Sequence, residues 1–252
     1  MQKQLEDKWV LITGAAGGLG MAFARAFAAE GARLSLTDVS VEGLEAAAEA
    51  LRKEGATCFA HAADLSSEEE TLALASRVRE HCPALHALIN NAGLAYGEVS
   101  RALTGISQSQ WLRYFAVNTV APLLLAEALR APLAAARGVV INISSMASYV
   151  PGTAYGVTKA ALNAMTYGMA SVLGSDGIRV NAIAPGLMET PAALEGLPPG
   201  TLERVQSQQM LSLRGTAQDV AALGLFLASD AARFITCEVV SCDAGNRMRG
   251  WR

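Results

Sequence analysis

Tyr155 and Lys159 are four residues apart in Ala154-Tyr155-Gly156-Val157-Thr158-Lys159, and that spacing could do proton chemistry. The following stretch, Leu162 to Ala170, is rich in Ala, Leu and Met and has no proline, a composition that favours helix. Four residues make about one helical turn, so the two side chains would share a face. An ammonium beside a phenol favours phenolate and draws the tyrosine down from its ordinary pKa near ~10. An Ala-rich helix can carry such a pair by chance, so the rest of the chain must supply corroboration.

The first corroboration lies near the N-terminus. Trp9-Val10-Leu11-Ile12-Thr13 is a short apolar run that reads as a buried parallel strand. Gly14-Ala15-Ala16-Gly17-Gly18-Leu19-Gly20 follows, and then a helical pattern with Met21, Ala24, Phe27 and Ala28 on one face. Strand, glycine-rich turn and helix gather backbone N–H groups and a positive helix end at one point, an anion site suited to pyrophosphate. The next strand, Arg33 to Thr37, ends at Asp38. An acid there can accept from both ribose hydroxyls and repel a 2′-phosphate. No Arg or Lys follows Gly14 within the turn or comes directly after Asp38, and the expected cofactor is NAD.

Strand and helix keep alternating. Val41 to Glu54 reads as helix, Thr57 to His61 as a third strand, and Ala63-Asp64-Leu65 as its end. Ser66-Ser67-Glu68-Glu69-Glu70 opens a capped helix. Ala87 to Asn90 is a fourth strand leading to Asn91-Ala92-Gly93. A long helix is expected from about Ser107 to Ala131, with Asn118 as a buried hydrogen-bond anchor or part of a proton path. Gly138 to Ile143 is a fifth strand ending in Ser144-Ser145, which offers a hydroxyl to the same edge. Ile178 to Ile183 is a sixth, leading to Pro185-Gly186-Leu187-Met188-Glu189-Thr190. Residues 187–216 contain Pro191, Pro198 and Pro199 and read as an irregular lid. A last helix, Asp219 to Ala228, and a last strand, Glu238 to Ser241, close the pattern.

The expectation is an α/β fold: one Rossmann-type, doubly wound parallel sheet of about seven strands with helices on both faces, spanning 1–252 as one domain. In such sheets ligands bind outside the carboxyl ends of the strands, where Gly14, Asp38, Asp64 and Asn91 all fall.

Composition narrows the function classes. The chain has 252 residues, 52% hydrophobic and 17% charged, with a net charge of −3, which gives no broad electrostatic reason to bind nucleic acid or an anionic membrane. The one local basic cluster is Arg247, Arg249 and Arg252, read as a solvated tail. Cys58, Cys82, Cys237 and Cys242 show no zinc spacing and are expected as small buried hydrophobes in a reducing compartment. His61, His81 and His86 form no ligand motif, so no metal is expected. The polar N-terminus and the interrupted apolar stretch Phe115 to Ala136 imply no signal peptide and no membrane span, hence a cytoplasmic protein.

On these motifs the chain resembles the short-chain dehydrogenase/reductase family from about Leu5 to Gly245. Thr13-Gly14 with Gly18 and Gly20 is similar to its cofactor turn, Asn90-Asn91-Ala92-Gly93 to its NNAG, and Tyr155 with Lys159 to its catalytic pair. Pro185-Gly186 with Thr190 is similar to the segment that meets the nicotinamide. The resemblance implies a catalytic tetrad of Asn118, Ser145, Tyr155 and Lys159, with Ser144 the alternative serine. It implies NAD contacts at Gly14, Gly18, Leu19, Gly20, Asp38, Asp64, Leu65, Asn91, Ala92, Gly93, Tyr155, Lys159, Pro185, Gly186, Met188 and Thr190. Lys159 would hold the nicotinamide ribose, and Asn118 would steady a water between Lys159 and solvent. The implied reaction interconverts a secondary alcohol and a ketone in a homotetramer or homodimer.

Two features depart from the family's pattern. The Ser145–Tyr155 span is short, which implies a trimmed loop between them and a reshaped pocket wall. The ending Asp243-Ala244-Gly245 is less glycine-rich than usual. Tyr96, Met146, Tyr149, Leu187 and Met188, with Ser145 and Tyr155, are expected around a hydrophobic or ring-bearing substrate. Two other readings are an NADPH-dependent 3-oxoacyl-type ketone reductase and a non-catalytic NAD-binding sensor.

Overall fold

The computed structural model describes residues 3–95, 97–100, 103–197 and 200–246. Tyr96 and the tail arginines Arg247, Arg249 and Arg252 lie outside these residues. The elements run β1 (Trp9–Thr13), α1 (Gly18–Ala29), β2 (Arg33–Thr37), α2 (Val41–Lys53), β3 (Cys58–Ala60), α3 (Glu68–His81) and β4 (Leu85–Asn90). Next come α4 (Gln108–Phe115), a π-helical segment (Ala116–Val120), α5 (Ala121–Ala128), α6 (Arg130–Ala136), β5 (Val139–Ile143) and α7 (Ala154–Leu173). The chain continues through β6 (Arg179–Pro185), α8 (Pro191–Gly196), α9 (Thr201–Gln206), α10 (Ala217–Ala228) and β7 (Val239–Cys242).

The seven strands form one parallel sheet in the order β3-β2-β1-β4-β5-β6-β7, the doubly wound fold that the alternating pattern predicts. Side chains alternate across a strand, so the same strands feed two cores. Val10, Ile12, Leu34, Leu36, Ile89 and Ile141 pack against Phe23 and Phe27 of α1 and Val220 of α10. Leu11, Leu85, Leu88, Val140 and Val180 pack against Leu74 of α3, Leu125 of α5 and Met169 of α7. The chain reverses direction across the sheet between β1 and β4. The crevice above that point is where such sheets bind ligands.

The expected continuous helix from Ser107 to Ala131 is broken, and two prolines explain where. Pro132 has no N–H to donate to the carbonyl four residues earlier, Ala128. That carbonyl instead accepts from Arg79 Nη1 at 2.7 Å, and α6 leaves the preceding helix at 66°. Pro122 likewise withholds a donor from the carbonyl of Asn118, and the turn before it relaxes to π geometry, Ala121 N–H donating to the Ala116 carbonyl. Among the described residues no single helix is long and apolar enough to cross a membrane.

Two further expectations change. The segment 187–216 is less irregular than its prolines suggest, since α8 and α9 lie within it; Thr190 caps α8, which starts at Pro191. Cys58 and Cys82 are buried as expected, but Cys237 is exposed and Cys242 only half-buried. Cys237 lies just before β7 and Cys242 is its last residue; β7 is an edge strand with half-covered side chains throughout.

A polar ladder ties the middle of the sheet to α7. Asn90 Nδ2 donates to Asn142 Oδ1 at 2.9 Å, and Asn142 Nδ2 donates to Thr166 Oγ1 at 2.9 Å. All three residues are buried. Replacing Asn142 with Ala strands its two partners without water, so the variant should lose about 1–3 kcal/mol in urea unfolding.

Candidate active site

Every strand from β1 to β6 ends at one large cavity of about 1430 Å³, whose wall runs from Gly14 to Val205. Its floor is built by side chains clasping backbone. Thr13 Oγ1 accepts from the backbone N–H groups of Asn91 at 3.0 Å and Ala92 at 2.9 Å. In return Asn91 Nδ2 donates to the carbonyls of Thr13 at 2.9 Å and Gly14 at 3.0 Å. Gly14 sits at φ +65°, and a Cβ there would come within 2.8 Å of Ala92 Cα; only glycine suits both demands. Asp38 fixes the other side of the turn, Oδ2 accepting from Ala16 N–H at 3.0 Å and Oδ1 from Ser40 N–H at 3.0 Å.

Gly14, Gly18, Leu19, Asp38, Asp64, Leu65, Asn91, Ala92 and Gly93 all line this cavity. Gly20 does not. A Cβ on it would stand 1.9 Å from the Gly14 carbonyl oxygen, so it lets α1 close on the turn rather than contact a ligand. Asp64 holds Ser66 N–H at 2.8 Å, and that bond is the main cause of its lowered pKa, with the nearby Arg113 charge adding to it.

Across the crevice, Tyr155 and Lys159 rise from α7, whose first turn is capped by Thr153 Oγ1 accepting from Gly156 N–H at 3.0 Å. Both line the cavity with Ser145. Lys159 Nζ lies 5.8 Å from the centre of the Tyr155 ring and donates to the Ile143 carbonyl, at the end of β5, at 2.7 Å. The lysine is 3% exposed, and burial pushes its pKa down from 10.5 to about 8.

Asn118 is fully buried in the π segment and does not reach the cavity wall. Its Oδ1 accepts from Leu94 N–H at 2.7 Å, and its Nδ2 donates to the Leu94 carbonyl and to Thr158 Oγ1, each at 3.0 Å. Of the two sequence readings for Asn118, the side chain fits the structural anchor. Gly93 fits against it: a Cβ there would lie 3.3 Å from both Asn118 Oδ1 and Lys159 Nζ.

The two serines part company. Ser144 Oγ is buried against Asn163 Oδ1 at 2.6 Å. Ser145 starts a short 3-10 turn (Met146–Ser148), its Oγ accepting from Ala147 N–H at 3.1 Å. Asn163 also donates to Ser148 Oγ at 2.9 Å, and Ser148 Oγ donates to the Ser145 carbonyl at 2.7 Å. Asn163 therefore braces the whole short loop. Sequence reading passed over it, although Tyr155, Lys159 and Asn163 recur every four residues on one helical face.

The substrate-side expectations divide. Met146, Leu187, Met188, Pro185, Gly186 and Thr190 line the cavity. Tyr149 does not, because its hydroxyl turns to Ser241 of β7 at 3.1 Å; the neighbouring Val150 faces the space in its stead. The segment 187–216 adds Gly196, Leu197, Thr201, Arg204 and Val205, which sequence reading did not single out. Among the described residues no group of three or more His, Cys, Asp or Glu side chains is arranged to hold a metal.

A glycine turn at the switch point of a doubly wound sheet, with a Tyr–Lys pair across the crevice, defines an oxidoreductase built around a dinucleotide cleft. The chain belongs to the short-chain dehydrogenase/reductase family: residues 14–247 match the family model described as enoyl-(acyl carrier protein) reductase. It is 32% identical over 249 residues to the cis-4-hydroxycyclohexanecarboxylate dehydrogenase of Sinomonas cyclohexanicum, covering 97% of this chain and 98% of that protein. A 7α-hydroxysteroid dehydrogenase solved with NADH and 7-oxo glycochenodeoxycholic acid superposes with a TM-score of 0.90 at 28% identity, covering 97% of this chain and 96% of that one. The L-sorbose reductase of Gluconobacter frateurii, solved with NADPH and L-sorbose, superposes at 0.88 with 27% identity and 98% coverage of both.

Burial of Lys159 has a signed consequence for stability. Below pH 8 the lysine is protonated folded and unfolded, and the folded state bears the full burial penalty. Between about pH 8 and 10.5 the unfolded chain holds a proton that the folded chain has released, so this group's contribution to stability rises with pH. Urea unfolding of the ligand-free wild type and Lys159→Met should therefore diverge in the wild type's favour by about 1.4 kcal/mol per pH unit across that window. A difference independent of pH would mean the lysine titrates normally.

Proposed function

We propose that this protein is an NAD-dependent dehydrogenase interconverting a secondary alcohol and a ketone on a hydrophobic or ring-bearing substrate. The observation that carries the reading is Ser145, Tyr155 and Lys159 on one wall of a cavity whose other end is the glycine turn and Asp38. That cavity exceeds the roughly 300–1,000 Å³ of an ordinary small-molecule site, as room for both a dinucleotide and a substrate requires.

The residues fit a dinucleotide. Gly14 and Gly18, at φ +65° and +55°, keep Cβ atoms away from the turn and leave backbone N–H groups for a pyrophosphate. Asp38 keeps further lone pairs for ribose hydroxyls beyond its two backbone partners, and its charge opposes a 2′-phosphate. Asp64 and Leu65 would flank the adenine end. Asn91, Ala92, Gly93, Tyr155 and Lys159 would follow the cofactor toward Pro185, Gly186, Met188 and Thr190. A bound nicotinamide supplies the hydride acceptor for oxidation and the donor for reduction.

The chain's own groups handle the proton. Tyr155 Oη takes it from the substrate hydroxyl in oxidation and returns it in reduction. Ser145 Oγ hydrogen-bonds the same oxygen. Lys159, cationic at neutral pH and near the ring, favours the phenolate and would hold the nicotinamide ribose. Asn118 holds the Leu94 turn and Thr158 in place, and in the proton path that the family resemblance implies it would steady a water between Lys159 and solvent.

The ring preference draws support from two relatives whose named substrates carry rings and from Met146, Val150, Leu187 and Leu197 on the wall. We read the chain as one domain whose residues 187–216 close over the site. Exposed Val120, Tyr167 and Val172 on neighbouring helices suit a homodimer or homotetramer, and four free thiols suit the cytoplasm. An NADPH-dependent ketone reductase is the second reading, favoured by the family model's acyl-carrier description and by the NADPH-bound L-sorbose reductase; Asp38 argues against it.

An NAD-reduction screen across aliphatic, aromatic, cyclic, sugar and steroid alcohols tests the reaction. Tyr155→Phe should lower kcat by about 10²–10⁴-fold while NAD still binds; near-normal turnover sinks the mechanism. Asp38→Ala should erode discrimination between NAD and NADP, and an unchanged ratio would remove Asp38 from the ribose role.

A further inference from the structure

Five charged side chains line the cavity among the described residues: Asp38, Asp64, Arg113, Lys159 and Arg204. Asp38 and Asp64 stand at the glycine-turn end, with Arg113 close enough to Asp64 to influence it. Lys159 is committed to the Ile143 carbonyl and the tyrosine ring. Arg204 is different. It belongs to α9, where Thr201, Arg204 and Val205, at i, i+3 and i+4, all line the cavity and so form the inward face of that helix.

The acids of this region do not neutralise it. Glu189 Oε1 is paired with Arg214 Nε at 2.7 Å and also accepts from Gln206 Nε2 at 3.3 Å. Glu203 lines a separate small cleft with Leu194 and Leu197. The Arg204 guanidinium has no ion-pair or hydrogen-bond partner among the described residues. The same cavity that holds Arg204, Ser145 and Tyr155 has an apolar lining that includes Met146, Val150, Leu187, Leu197 and Val205.

We infer that Arg204 reads a carboxylate on the substrate, making the substrate class a hydrophobic hydroxy or oxo acid with its reacting carbon at Tyr155 and its anionic end under α9. The inference rests on the alcohol–ketone reading above and deepens it. A guanidinium offers two parallel N–H donors matched to a carboxylate, so the contact selects charge and shape together. The arginine is exposed, so its effect should weaken with salt.

The test compares each acid with its neutral methyl ester, using hydroxycyclohexanecarboxylates and hydroxycholanoates with NAD and NADP. The readout is the ratio of kcat/KM for acid over ester. The wild type should favour at least one acid by roughly 10- to 100-fold, less at high salt. Arg204→Gln should bring that ratio toward one chiefly through KM, and Arg204→Lys should recover part of it by charge alone. If the wild type turns over acids and esters equally, or if Arg204→Gln leaves the ratio unchanged, the inference is overturned while the alcohol–ketone reading stands. No turnover of any alcohol or ketone with either nucleotide would overturn both.

Discussion

Lys159 carries a charge at a position almost sealed from water, and much of the site is arranged around that cost. One hydrogen bond to the Ile143 carbonyl does not replace a hydration shell, so its pKa falls to about 8. The ammonium can stay there only if the end of β5 and the start of α7 keep their relative position. The Asn142–Thr166 bond ties β5 to α7, and the Asn118–Thr158 bond holds the start of α7 against the π segment. A lysine so placed also lines the cavity, where a hydroxyl that entered beside it would offset part of that cost.

The glycine turn obeys a complementary constraint. The backbone N–H groups at the start of α1 must be left unspent, yet the turn before them must not move. The chain meets both demands by clasping the turn through carbonyls and neighbouring residues: Asn91 takes the carbonyls of Thr13 and Gly14, and Asp38 takes Ala16 N–H. Gly20 completes the arrangement by offering no atom at all, since α1 could not otherwise approach the Gly14 carbonyl. An anion bound at this point would meet a turn already organised, which lowers the ordering cost of binding.

The strands were legible because each is a short apolar run ending in Gly, Asp, Asn or Ser, and their shared edge placed Gly14, Asp38, Asp64, Asn91 and Ser145 together. What sequence could not convey depended on which way a side chain turns or how a backbone bends. Tyr149 is apolar enough for a pocket, but a short loop closing over Gly156 swings it to Ser241. Pro122 and Pro132 are visible in the chain, whereas the π turn and the 66° break they produce need the packing of α3 and α7 to take shape. Arg204 was hidden for another reason: an arginine in a proline-rich segment reads as solvated surface until α9 shows its inward face. Cys237 was misread because burial was inferred from residue type, without knowing that β7 is an edge.

The short loop between Ser145 and Tyr155 and the segment carrying α8 and α9 form opposite walls, and they differ in kind. The loop is braced at several points: Ala147 on Ser145, Ser148 on Asn163, and Gly156 allowing the Ala147 carbonyl and Pro151 to close within Cβ distance of α7. Bracing of that density leaves the loop beside Tyr155 little freedom to adapt. The opposite wall rests on two six-residue helices, too short to be stable without tertiary support, and on Glu189 bridging to Arg214 and Gln206. One wall is thus fixed by short-range side-chain bonds, and the other depends on tertiary contacts for its helices to form at all.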